Sequence, residues 1–122
     1  MNEERITDAE LEILKILWLK QPASAKEISL RIESHAWSEK TVRTLISRLL
    51  QKGIIQVNKQ GKEYVFQTTI SKQEYQNYVT KSIANKVFQG SMSSMALHVL
   101  QDVSLSKEDV QELKDLLARY ED

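Results

Sequence analysis

Apolar positions recur at helical spacing along most of this chain and switch to a strand-like pattern over one short stretch. Leu11, Leu14, Leu17 and Trp18 form a stripe that Ile13 and Ile16 widen, the period of an amphipathic helix. Thr7 and Glu10 stand ahead of it at capping-box spacing. Pro22 disfavours helix at Gln21, so this first helix should end near Lys20. Ser24 and Glu27 repeat the capping spacing before a narrower stripe of Ala25, Ile28 and Ile32, with Leu30 to one side. A short second helix ending near Ser34 is expected there. His35-Ala36-Trp37 then leads to Ser38, the N-cap of a third helix running to Lys52. Its apolar set is Val42, Leu45, Ile46 and Leu49. Gly53 follows, where a left-handed residue closes a helix.

Beyond Gly53 the period changes. Ile54, Ile55 and Val57 precede the polar run Asn58-Lys59-Gln60-Gly61-Lys62, and Tyr64, Val65, Phe66, Thr68 and Thr69 follow it. Two β-prone runs around a glycine-containing loop predict a hairpin. Helical spacing then returns three times. Ser71 and Glu74 open a helix to about Gln89 carrying Tyr75, Val79, Ile83 and Val87, with Tyr78 and Phe88 alongside. Gly90 breaks it. Met92, Met95, Ala96, Val99 and Leu100 suggest a short fifth helix. Ser106 caps a sixth bearing Val110, Leu113, Leu116, Leu117 and Tyr120. The expected fold is mostly α with a small β-hairpin: a winged helix-turn-helix over 1–70 and a helical dimerisation domain over 71–122. Three short amphipathic helices make a marginal core alone, so their apolar faces should be completed by a second copy.

Charge sharpens this picture. The chain has 122 residues, 17 basic and 17 acidic, a balance that by itself points away from nucleic acid. The distribution is uneven, however. Ala36 to Lys62 holds Lys40, Arg43, Arg48, Lys52, Lys59 and Lys62 against Glu39, whereas Gln101 to Asp122 holds seven acids against three bases. Lys40, Arg43, Thr44, Ser47 and Arg48 lie away from the apolar stripe of the third helix, and Lys59 and Lys62 lie on the hairpin. Cations with short hydroxyls suit phosphates and base edges. The plainer readings are a solvated helix face and a hairpin that only covers the core. Helix, helix, basic helix and basic hairpin in this order favour the layout of a winged DNA-binding domain.

Other chemistries have little support. With no cysteine, disulfides and thiolate metal sites are excluded. The two histidines, His35 and His98, share no ligand spacing, so no metal or cofactor is expected. No grouping of nucleophile, base and acid marks an enzyme. There is no apolar run of membrane-span length and no signal-peptide pattern, so membrane insertion is not expected and a cytoplasmic location is.

Ile6-Thr-Asp-Ala-Glu-Leu-Glu-Ile-Leu-Lys-Ile-Leu-Trp18, Trp37-Ser-Glu-Lys-Thr-Val-Arg-Thr-Leu-Ile-Ser-Arg-Leu49, Lys52-Gly53 and the wing ending in Tyr64 resemble the BlaI/MecI family of penicillinase and methicillin-resistance repressors. The CopY copper-responsive repressors are relatives. The likeness runs from about Ile6 to Leu117 and includes Phe88-Gln-Gly90 and Ser94-Met-Ala-Leu97. It implies a homodimeric repressor whose third helix reads a pseudo-palindromic operator on double-stranded DNA. Carried over by position, Lys40, Thr41, Arg43, Thr44 and Arg48 would contact DNA, with Lys59, Lys62 and Tyr64 from or near the wing. By chemical type Arg43 and Thr44 suit base edges, and Lys40, Arg48 and Lys62 suit phosphates. Arg48 has an alternative as the partner of an acid at the core rim. Trp18 and Trp37 read as core or rim. Tyr75, Val79, Ile83, Val87, Met95, Val99, Leu113, Leu116 and Leu117 would carry dimerisation.

The likeness also implies two ways of releasing DNA, and the chain departs from both. In the β-lactam branch a membrane sensor-protease system acts on an Asn-Phe bond within Ser-Leu-Val-Leu-Asn-Phe. Here the matching residues are Ser94-Met-Ala-Leu-His98-Val99, so the candidate cleavage region, His98 and Val99, lacks the scissile pair. In the copper branch Cys-x-Cys motifs bind the metal, and this sequence has none. A regulator of a copper operon without that motif, or one responding to a small molecule near Tyr78, Phe88, Met92 and Met95, is the alternative reading.

Overall fold

Reciprocal caps start the first two helices. The Thr7 hydroxyl accepts from the Glu10 amide at 3.1 Å, and the Glu10 carboxylate accepts from the Thr7 amide at 2.9 Å. Ser24 and Glu27 repeat this at 3.1 and 3.0 Å, satisfying amides that a helix start leaves open. In the computed structural model, which describes residues 6–32 and 37–121, these caps open α1 (Asp8–Leu19) and α2 (Ala25–Arg31). The second helix stops three residues before Ser34, where the sequence pattern placed its end. Glu33 to Ala36, including His35 and most of the expected turn, lie outside the described residues.

Then come α3 (Glu39–Gln51), the strands β2 (Ile55–Gln60) and β3 (Glu63–Thr68), and α4 (Lys72–Val87), α5 (Met92–Gln101) and α6 (Lys107–Ala118). A two-residue strand, β1 (Ala23–Ser24), has no signal in the apolar pattern. It pairs antiparallel with β3, giving a three-stranded sheet in the order β1-β3-β2. Most of the run read as a polar loop, Asn58 to Gln60, is strand: Asn58 pairs with Val65, Lys59 with Tyr64 and Gln60 with Glu63. Only Gly61 and Lys62 remain as the turn. Gly61 takes φ +61° at the first central position, where a two-residue hairpin of the II′ kind wants glycine.

The chain divides into two compact units, Met1–Thr80 and Lys81–Asp122. The division falls within α4. The first turns of that helix belong with the first unit, where the Tyr75 ring lies 5.8 Å from the Trp18 ring and the Trp18 indole donates to the Ile70 carbonyl at 3.0 Å. The core of the first unit joins Ile13, Leu14 and Leu17 of α1, Ile28 of α2, Val42, Leu45, Ile46 and Leu49 of α3, and Ile54, Ile55 and Phe66 of the hairpin. Burying a side chain of this kind contributes about 1.5–3 kcal/mol.

In the second unit Ser106 caps α6 by accepting from the Asp109 amide at 3.0 Å, and the helices form at their expected places. Ala84 is nevertheless the one buried residue among its described positions. Val87, Leu97, Val99, Leu116, Leu117 and Tyr120 are exposed. Among the described residues, no helix is long and apolar enough to cross a membrane.

Candidate nucleic-acid interface

The third helix is amphipathic about its whole circumference. Val42, Leu45, Ile46 and Leu49 are buried, while Lys40, Thr41, Arg43, Thr44, Ser47 and Arg48 are exposed. Both ends are fixed. At the start, the Ser38 hydroxyl accepts from the Thr41 amide at 3.1 Å and lies 3.1 Å from the Thr41 hydroxyl. At the end, the Gly53 amide donates to Leu50 and the Ile54 amide to Leu49, each near 3 Å, with Gly53 at φ +74°. This is the Schellman arrangement, and Ile54 buries as it forms. Thr69 ties the far strand of the hairpin to the same point: its hydroxyl lies 2.7 Å from the Gly53 carbonyl and 2.9 Å from that of Ile54. The wing is therefore anchored to the end of α3 through short hydrogen bonds.

Lys52 is the residue whose role changes most. In the charge pattern it adds to the basic stretch. In the structure its ammonium donates to the Glu10 carboxylate at 2.6 Å, and Glu10 is wholly buried at the cap of α1. Burial works to raise the Glu10 carboxyl, but the Lys52 hydrogen bond, the Thr7 amide and the Lys52 charge outweigh it and hold it below its ordinary value. The pair joins the start of α1 to the end of α3, so Lys52 serves the scaffold. Its spacing from Glu10 along the chain gave no sign of this contact. The other Glu10 oxygen is buried and has no hydrogen-bond partner among the described residues.

Two candidate readers are also engaged. The Arg43 guanidinium donates to the Glu39 carboxylate at 3.1 Å, one turn back on the same helix. The Thr44 hydroxyl donates to the Lys40 carbonyl at 3.0 Å, so outward it offers a methyl group and oxygen lone pairs. Glu39, Lys40, Arg43, Thr44 and Ser47 line one shallow depression. The side chains of Lys40, Arg48, Lys59 and Lys62 make no ion pair among the described residues. The basic surface is thus narrower than the charge count: these four cations and Arg43, with Lys52 turned inward. On the wing, the Lys59 ammonium sits 5.7 Å from the centre of the exposed Tyr64 ring, a cation–π contact across the paired strands.

A match to the penicillinase repressor family model spans residues 6–119. The chain belongs to that family. The methicillin resistance regulatory protein MecI of Staphylococcus aureus (strain N315) is 34% identical over 113 residues, covering 92% of each chain. The DNA-binding domain of the repressor BlaI superposes with a TM-score of 0.52 at 32% identity, covering 58% of this chain and 88% of that one. The monomeric form of Bacillus licheniformis BlaI, solved in complex with the blaP half-operator, gives 0.50 at 32% identity, with 57% and 87% covered. This member of the penicillinase repressor family is a winged-helix transcriptional repressor, and the family is one of regulators rather than of enzymes.

The remaining sequence candidates fall in α4 to α6. Tyr75 and Val79 are half-buried in the first unit. In the second, Met95 and Leu113 are half-buried and Ile83, Val87, Val99, Leu116 and Leu117 are exposed. His98 and Val99 lie inside α5, both exposed, with the His98 ring 5.5 Å from that of Phe88. A cleft in this unit is lined by Leu100, Leu105, Leu113 and Leu116 with Asp109, Glu112, Asp115 and Arg119, rather than by Phe88, Met92 and Met95. Among the described residues there is no group of three side chains able to hold a metal.

Proposed function

We propose that this repressor occupies its operator as a homodimer, with α3 in the major groove and the wing on the flanking backbone. The observation that carries this is the pairing of a buried inner face of α3 with an exposed outer one, on a helix pinned at both ends. The half-operator complex of Bacillus licheniformis BlaI supports duplex DNA as the ligand. Arg43 is assigned to a base edge, preferably guanine, and Thr44 to a thymine methyl or a base amino donor, since its own proton is taken by Lys40. Lys40, Arg48, Lys59 and Lys62 are assigned to phosphates, and Thr41, Ser47 and Tyr64 to the margins of the contact. Residues 71–122 are assigned to association, because their exposed apolar side chains at helical spacing suit a second copy of the same surface.

The test is binding of a duplex that the protein itself enriches from a randomised library, measured by fluorescence anisotropy at two salt concentrations. Affinity should fall steeply with salt, as phosphate contacts release counterions. Arg43→Ala should cost about 1–3 kcal/mol on the enriched duplex and relax preference at one base pair. Full retention of that preference would remove α3 from the reading. Sedimentation of the free protein tests the dimer.

A further inference from the structure

Glu39 is out of place on a surface that meets phosphates. It is exposed, it lines the same depression as Lys40, Arg43, Thr44 and Ser47, and its charge there opposes every non-specific contact with DNA. Two general benefits are small. A carboxylate in the first turn complements the helix dipole, and an exposed pair one turn apart adds little to a helix. Geometry suggests a larger use. Glu39 Oε1 accepts from the Nη2 group of Arg43 at 3.1 Å. A guanidinium has five N–H donors in a rigid plane, so a single bond to Glu39 fixes that plane while leaving donors free for a base edge. An arginine held this way enters the groove with fewer rotamers to lose and less freedom to swing to a nearby phosphate.

We propose that Glu39 is a specificity-determining positioning residue: it holds Arg43 in the orientation that reads one base pair and repels the backbone contacts that would bind any sequence. This rests on the assignment of α3 to the major groove. Neutralising Glu39 removes a charge that opposes phosphate and frees the guanidinium at once. Non-specific affinity rises while discrimination falls.

The experiment compares the wild-type protein with Glu39→Gln, Arg43→Ala and the double variant. The probes are the library-enriched duplex, the same duplex with the pair read by Arg43 exchanged, and an unrelated duplex. Thermal unfolding of each variant separates folding from binding. Glu39→Gln is expected to tighten binding to the unrelated duplex and to lower discrimination at the Arg43 position by roughly 3- to 10-fold. In the Arg43→Ala background the same change should leave discrimination untouched and keep only the uniform tightening. The proposal is overturned if Glu39→Gln shifts all three duplexes by one factor, or if its effect on discrimination survives without Arg43, which would make Glu39 a direct reader. If the library yields no enriched sequence, or Arg43→Ala keeps wild-type discrimination, the groove assignment itself fails, and the Glu39 variant is not needed to see it.

Discussion

In the first unit the apolar stripes of α1, α2 and α3 close over one another and over the hairpin, leaving Ile13, Leu14, Leu17, Ile28, Val42 and Leu49 with no exposed surface. In the second unit stripes of the same spacing stay open, with Leu97 and Leu117 more than 60% exposed and Ala84 alone buried among the described residues. Helical periodicity tells which face of a helix wants cover. It does not tell whether the cover comes from the same chain. The first unit supplies its own through a sheet and three helices that share one core, whereas α5 and α6 are too short and too few to enclose a core of that kind between them.

The largest expected effect tests the closed unit. Leu14→Ala removes a wholly buried side chain from its centre and should destabilise the protein by about 2–5 kcal/mol, read by urea unfolding of the wing and α3. An effect below 1 kcal/mol would mean that this core is not closed. Leu116→Asp tests the open unit. It should leave the unfolding of the first unit unchanged, shift the protein to monomer in sedimentation, and lower operator affinity by about 100-fold or more through lost avidity. A variant that remains dimeric would move the association surface elsewhere.

A smaller effect tests how the closed unit carries α3. Glu10→Gln removes the charge opposite Lys52 and should cost about 1–3 kcal/mol. Because the native carboxyl is held below its ordinary value near 4.5, the pair stabilises the fold above that pH, and the contribution is lost as pH falls through the lower native value. Wild type should thus lose part of its advantage over Glu10→Gln on acidification from pH 6 toward pH 3. An advantage that is constant over this range would show that the carboxylate charge is not what matters. Lys62→Ala should have the mildest effect, a less-than-tenfold loss of affinity that is the same for specific and unrelated duplexes, with a shallower salt dependence. A sequence-dependent loss would make the wing a reader.

Much of this was legible in the residues. Every cap read from the Ser/Thr-x-x-Glu spacing or from a lone serine forms, and Gly53 closes α3 as its position implied, because these signals act over three or four residues and need no distant partner. The burial of Val42, Leu45, Ile46 and Leu49 followed from period alone. The tertiary contacts were different. The β1 strand has only two residues, and its pairing with Phe66 and Val65 comes from across the fold. The strands of the hairpin reach closer to its turn than the polar composition suggested, since pairing with β3 outweighs the low strand propensity of Asn58 and Lys59. Arg43 was legible as a candidate for a base edge. That Glu39 lies within reach follows from their four-residue spacing, but the choice of that rotamer does not.

The order of the elements, the faces of the helices and the family are properties of the sequence by itself, set by local backbone preferences and by where apolar side chains recur. The tertiary structure decided which charges look outward. Lys52 and Lys40 are equally basic on paper, and only packing brings Glu10, forty-two positions away from Lys52, to the end of α3. A buried carboxylate must be met by a cation and hydrogen bonds, and that requirement turns Lys52 inward while Lys40, Arg43 and Arg48 stay exposed on the outer face of α3.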